Sequence, residues 1–146
     1  MKPKKSTDLL KLFLLFMAVH SSLVGIALLF LPAPYLEFFG LSGDEYTFFQ
    51  AQGGIFHIVM AFAYILSIRY IYLPDSRFPP SESSGLIIFA ISAKSMAAVF
   101  LAVYFFLFDK AWIIILSGFG DAVMAVVLFV LYRRYMNSIL NYKKQA

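Results

Sequence analysis

An all-α membrane protein, an antiparallel bundle of four transmembrane helices with both termini in the cytoplasm, is the architecture this 146-residue sequence predicts. Three observations predict it. Apolar residues make up 62% of the chain and charged ones 14%, with a mean hydropathy of +0.82, whereas about a quarter of a soluble domain is charged. Four apolar stretches reach the roughly 20 residues that a spanning helix needs. The basic residues also gather at alternate ends of those stretches. Lys2, Lys4, Lys5 and Lys11 precede or open the first, Arg69 and Arg77 flank the second connection, and Arg133, Arg134, Lys143 and Lys144 follow the last. The other connections hold only Lys110, against Glu37, Asp44, Glu45 and Asp109. Cytoplasmic segments carry the excess of Lys and Arg, so both termini and the second connection are expected on that side.

The first helix is expected over residues 9–31, stopped by Pro32 and Pro34. Its Lys-rich approach resembles a signal peptide, but Leu9 to Leu31 is too long for that and Pro32-Ala33-Pro34 is a poor cleavage site, so it reads as a retained helix. Tyr35 to Tyr46 is expected along the outer interface, with Tyr35, Leu36, Phe38, Phe39 and Leu41 among the headgroups and Glu37, Asp44 and Glu45 in water. Gly40 and Gly43 break that segment before a second helix over 47–71. Leu73 to Ser84, rich in Pro, Ser and charge, reads as a cytoplasmic loop, and a third helix follows over 85–108. Asp109-Lys110 is so short a link that the fourth helix, 111–132, must fold back on the third. Trp112 on one side and Tyr132 and Tyr135 on the other sit where interfacial anchors belong, and residues from Asn137 onward read as a frayed polar tail. The whole chain, 1–146, is one domain.

Composition also closes some routes. With no cysteine there are no disulfides, thiolate metal sites or thiol chemistry. The net charge of +4 is placed to mark a membrane side and to attract anionic headgroups, so no nucleic-acid partner is expected.

Function is signalled by polar residues where they are costly. His20, His57, Lys94 and Asp121 fall one apiece near the middle of the four stretches. A Lys or Asp at a helix centre costs roughly 2.5–3.5 kcal/mol on insertion scales. Counted from the cytoplasmic end of each helix, the four lie at depths of about 13 to 18 Å at 1.5 Å per residue, one layer despite alternating directions. Three have small or polar neighbours three, four or seven residues away. Lys94 has Ala90, Ala97 and Ala98; Asp121 has Ser117, Gly118 and Ala125; His57 has Gln50, Gly53, Gly54, Ala61 and Tyr64. Such faces pack against other helices rather than lipid. His20 sits among Phe13, Phe16, Met17, Leu23 and Val24, a bulkier setting.

Lys94 and Asp121, on helices joined by a short turn, are plausible direct partners, and such a pair can be simple structural glue. The addition of His57, Gln50 and Gln52 favours a ligand-binding site made of His57, Lys94, Asp121, Gln50, Gln52 and His20. Gly53-Gly54 and Gly118-Phe119-Gly120 each read as close packing or as room for a ligand. Two histidines could ligate haem, but nothing else marks a haem pocket and the bulky face of His20 argues against one. His20, His57 and Asp121 satisfy a two-His-one-carboxylate inventory, yet Lys94 would repel a cation, so no metal is expected. There is no Gly-x-Ser-x-Gly elbow, phosphate loop or His-Glu-x-x-His pair. A quinone or a lipid fits better, its oxygens on His, Lys and amides and its body among Phe, Leu and Ile. The alternative is a membrane enzyme or proton relay working through Asp121, Lys94 and His57; no catalytic residue is marked by sequence.

Four short-looped helices, Gly53-Gly54 with His57 on the second, Lys94 amid alanines on the third and Gly120-Asp121 on the fourth together resemble the small DoxX-like membrane proteins, especially their members of unknown function. The likeness spans Leu9 to Tyr135. It implies a four-helix membrane bundle and, at the family's best-understood edge, association with quinone-linked redox enzymes. Where that pattern has a basic residue before the glycine pair this chain has Gln52, which leaves any anion or quinone contact there without its counterpart. The expected setting is a bacterial plasma membrane, with lipid as the first partner and a homo-oligomer or larger membrane complex as the next.

Overall fold

A computed structural model describes residues 3–38, 46–71, 80–108 and 111–144. These form helices α1 (Pro3–Phe30), α2 (Ala33–Phe38), α3 (Tyr46–Tyr70), α4 (Pro80–Leu107) and α5 (Trp112–Lys143). The four long ones contain the segments Lys5–Phe30, Gln50–Tyr70, Ser84–Leu107 and Trp112–Asn141, each long and apolar enough to cross a membrane. The expected interfacial residues Phe39, Gly40, Leu41, Gly43, Asp44 and Glu45, the link Asp109-Lys110 and Arg77 lie outside the described residues. Tyr35, Glu37 and Phe38 on α2 are exposed, as is Trp112 at the start of α5.

The long helices form a ring in which α1 touches α3 and α5, and α4 touches α5 and α3. Across the diagonals, α1 to α4 and α3 to α5, no described Cα pair comes within 8 Å. Gly25 meets Gly54 and Ile58 while Leu28 meets Gly53 and Gln50. On the other side Leu101 meets Gly118, Lys94 meets Asp121 and Ser84 meets Met136.

The long helices bury stripes that advance by three or four residues at a time. On α1 the stripe runs through Leu10, Leu14, Met17, Ser21 and Gly25, and on α4 through Ile87, Ala90 and Lys94. On α5 it runs through Ile114, Gly118, Asp121, Ala125 and Leu128 and on to Tyr135 and Ile139. A step averaging 3.5 residues keeps one seam facing the neighbours when helices cross at a shallow angle. Exposed Leu12, Phe16, Leu23, Phe62, Val99, Phe100 and Phe119 clothe the outside, as expected of side chains bathed in lipid.

Three boundaries differ from the sequence expectation. α1 starts at Pro3, six residues before the expected Leu9, with a proline in its first turn. α4 starts at Pro80, so the last residues of the expected 73–84 loop are helical; proline is tolerated in a first turn, where its missing N–H has no helical partner anyway. α5 does not stop near 132 or fray from Asn137 but continues to Lys143. At 1.5 Å per residue its 32 residues measure about 48 Å, against a hydrocarbon layer of roughly 30 Å. The extension is held because the stripe goes on. Tyr135 and Ile139 are buried, and the Ser138 hydroxyl lies 2.7 Å from that of Ser6 on the opening turns of α1.

Candidate functional site

Lys94 and Asp121 stand on the buried stripes of α4 and α5, and Lys94 Nζ donates to Asp121 Oδ1 at 2.5 Å. Both side chains are sealed within the bundle, 5% and 11% exposed. Pairing offsets the cost of taking each charge from water, and loss of either would strand the other in apolar surroundings. The small residues flanking the pair let the backbones come this close. A Cβ added at Gly118 would lie 3.1 Å from Leu101 Cβ, whereas one at Gly120 would meet nothing within 4 Å. The first glycine of Gly118-Phe119-Gly120 is therefore a packing position and the second is not.

His57 lies on the inner side of α3, half-buried, its Cβ against Gly25 and its ring edge-on to Phe56 at 6.4 Å. His20 is half-buried at the margin of α1, its ring stacked on exposed Phe16 at 6.2 Å. Both imidazoles lie within electrostatic reach of Lys94 and Asp121, and neither is hydrogen-bonded to the pair. Among the described residues, no three His, Asp or Glu side chains gather closely enough to hold a metal ion.

The two glutamines are placed elsewhere. Gln52 is exposed on the outer face of α3. Gln50 Nε2 donates to the carbonyl oxygen of Leu28 at 2.7 Å. That carbonyl would ordinarily accept from the N–H four residues on, but residue 32 is proline and has none. An unmet carbonyl in a bilayer costs several kcal/mol, so Gln50 completes the end of α1 from a neighbouring helix. Gly53-Gly54 divides similarly. A Cβ at Gly54 would sit 2.9 Å from the backbone oxygen of Gly25, and one at Gly25 2.8 Å from that of Gly54. At Gly53 the nearest atom is a Leu28 methyl carbon at 3.8 Å. Gly54 is where two backbones touch; Gly53 is ordinary contact.

Two groups at the centre were not among the expected site residues. Ser21 and Tyr64 are both completely buried. Their hydroxyls face one another between α1 and α3, close enough to interact, yet neither makes a hydrogen bond of good geometry. Asp121 lies near enough across the diagonal to act on the Tyr64 hydroxyl. The centre of the bundle thus holds one polar side chain from each long helix: Ser21, Tyr64, Lys94 and Asp121. On α1 that role falls to Ser21 and not to His20, its neighbour in sequence but about 100° away around the helix. A signal for Ser21 existed, since four residues beyond Leu14 and Met17 the stripe reaches Ala18 and Ser21. Tyr64, seven residues from His57, shares its face.

Chemically, the layer offers hydroxyls that can donate or accept, an ammonium with N–H groups beyond the one given to Asp121, and imidazoles on its margin. No protein-family model matches this chain, and no curated protein or solved structure matches it.

Proposed function

We propose that this chain is a small multi-pass membrane protein, an antiparallel up-down-up-down bundle with both termini cytoplasmic, whose midplane polar layer receives the head of a quinone-like or lipid molecule. The observation that carries the reading is the Lys94–Asp121 pair, enclosed at the heart of four apolar helices with His57 and His20 around it. Register alone requires two partners. A layer that also holds two imidazoles and two buried hydroxyls has more polar capacity than glue needs. The apolar walls suit a lipophilic body, and the basic ends Lys5, Arg69, Arg133 and Arg134 suit a cytoplasmic face. In this reading the chain is DoxX-like, resides in a bacterial plasma membrane, and works as a binding or accessory subunit, alone or within a homo-oligomer or larger complex. Solvent extraction of purified protein followed by mass spectrometry tests it: about one lipophile per chain is the expected result, and none at any appreciable stoichiometry contradicts it.

A second reading is favoured by the row of ionisable groups itself. His20, His57, Lys94 and Asp121 lie within one another's electrostatic reach, the arrangement of a proton relay acting on a hydrophobic substrate. It predicts a turnover that disappears in Asp121→Asn while the fold survives. A variant that merely unfolds assigns the pair to structure.

A further inference from the structure

We propose that the Ser21 and Tyr64 hydroxyls form a distinct subsite that hydrogen-bonds an acceptor oxygen on a neutral head, such as a ketone or ester carbonyl, beneath a deformable wall of methionines. The inference rests on the lipophile-binding reading and names the chemistry of its ligand.

Three observations lead to it. Both hydroxyls are fully buried and face one another near Asp121, yet neither makes a hydrogen bond of good geometry. Buried polar groups are nearly always satisfied, and a bond between the two hydroxyls would use only one of their O–H groups, so at least one donor is left for a further group. Charge narrows that group. Lys94 and Asp121 neutralise each other, so the layer carries no net charge to match an ionic head. A carboxylate or an ammonium would enter unpaired, at the cost that burial of lone charge carries. A neutral oxygen acceptor meets a hydroxyl donor without that cost.

Access is supplied by the third observation. One turn from three of the four polar groups, on the same helix, stands a buried methionine: Met17 beside Ser21, Met60 beside Tyr64 and Met124 beside Asp121. All three belong to the cluster that contains Tyr64. Methionine is unbranched and repacks readily, a side chain suited to a wall that yields to ligands of varied shape. Leucine or isoleucine at these places would pack as well but move less.

The probe is an alkyl-chain benzophenone, a neutral ketone that inserts into nearby C–H bonds under ultraviolet light, applied to the full chain in detergent. Labelled peptides should map to α1 around Ser21 and α3 around Tyr64. Tyr64→Phe, which keeps the ring, should raise the half-saturating concentration roughly fivefold to tenfold, the effect of one lost hydrogen bond. Ser21→Ala should act alike, and carries the test if Tyr64→Phe does not fold. A matched probe bearing a carboxylate should label these peptides less. Labelling confined to lipid-facing residues such as Phe62 and Phe16 overturns the proposal. So does unchanged saturation in folded Tyr64→Phe and Ser21→Ala, the outcome expected if the hydroxyls hold an internal water only. The two failures are separable. A lipophile extracted equally from wild type and both variants leaves the binding reading standing and removes this subsite. If wild type yields no lipophile while the probe still labels Ser21 and Tyr64 peptides, the resident-lipophile reading falls and the subsite stands.

Discussion

The pair α1–α3 and the pair α4–α5 solve the same problem by different means. Lipid is as apolar as leucine, so burying apolar surface gives helices no reason to associate, and something else must hold each pair. Between α1 and α3 it is shape: Gly25 and Gly54 present bare backbone to each other, so closely that a methyl on either would meet the other's carbonyl oxygen under 3 Å away. Between α4 and α5 it is charge: one ammonium and one carboxylate, bonded at 2.5 Å. At Gly25 and Gly54 the first interface tolerates no added atom, and at Lys94 and Asp121 the second tolerates no lost charge. Vulnerability should therefore differ in kind, and substitutions can separate the two.

The largest effect is expected from the charged pair. Asp121→Asn or Lys94→Ala leaves one buried charge alone and should cost about 3–5 kcal/mol in detergent unfolding. Next comes the glycine seam. Gly54→Ala should cost about 1–3 kcal/mol, because the new methyl meets backbone that cannot rotate away. Gly53→Ala and Gly120→Ala, with open or ordinary surroundings, should be neutral or gain up to about 1 kcal/mol of helix propensity. If Gly54→Ala and Gly53→Ala behave alike, the shape account of α1–α3 fails. An effect no larger than that of Gly54→Ala, about 1–3 kcal/mol, is expected for Gln50→Leu, which strands the Leu28 carbonyl. Adding Pro32→Ala restores an N–H at residue 32 and should recover much of that loss. A double variant no better than Gln50→Leu would show that the glutamine acts otherwise.

The two pairs also differ in how far their residues could be read from sequence. Lys94 and Asp121 were legible because charge in an apolar run has no bland explanation and a two-residue link forces the helices together. The four spans were legible from hydropathy. The α1 contribution was not. A serine in an apolar run costs little and so draws no notice, although Ser21 continues the stripe that runs through Leu14 and Met17. His20 drew notice by its chemistry while Ser21, next to it, holds the inward position. Gln50 looked like a site residue because an amide near a histidine suggests a ligand. Its partner is a carbonyl left open by Pro32, a relation between two helices that no spacing along one of them reveals. The length of α5 was missed for a related reason. Hydropathy falls at Arg133-Arg134, but Tyr135 and Ile139 beyond them are buried and continue the packing.

The most direct test of the account is a double-mutant cycle between Lys94 and Asp121, using Lys94→Met, Asp121→Leu and the two together, read by unfolding in detergent. If the pair is the enclosed centre of the bundle, each single change is severe and the double recovers, with a coupling above about 2 kcal/mol. Costs that add to within roughly 0.5 kcal/mol would mean that the two side chains do not meet, and would contradict it.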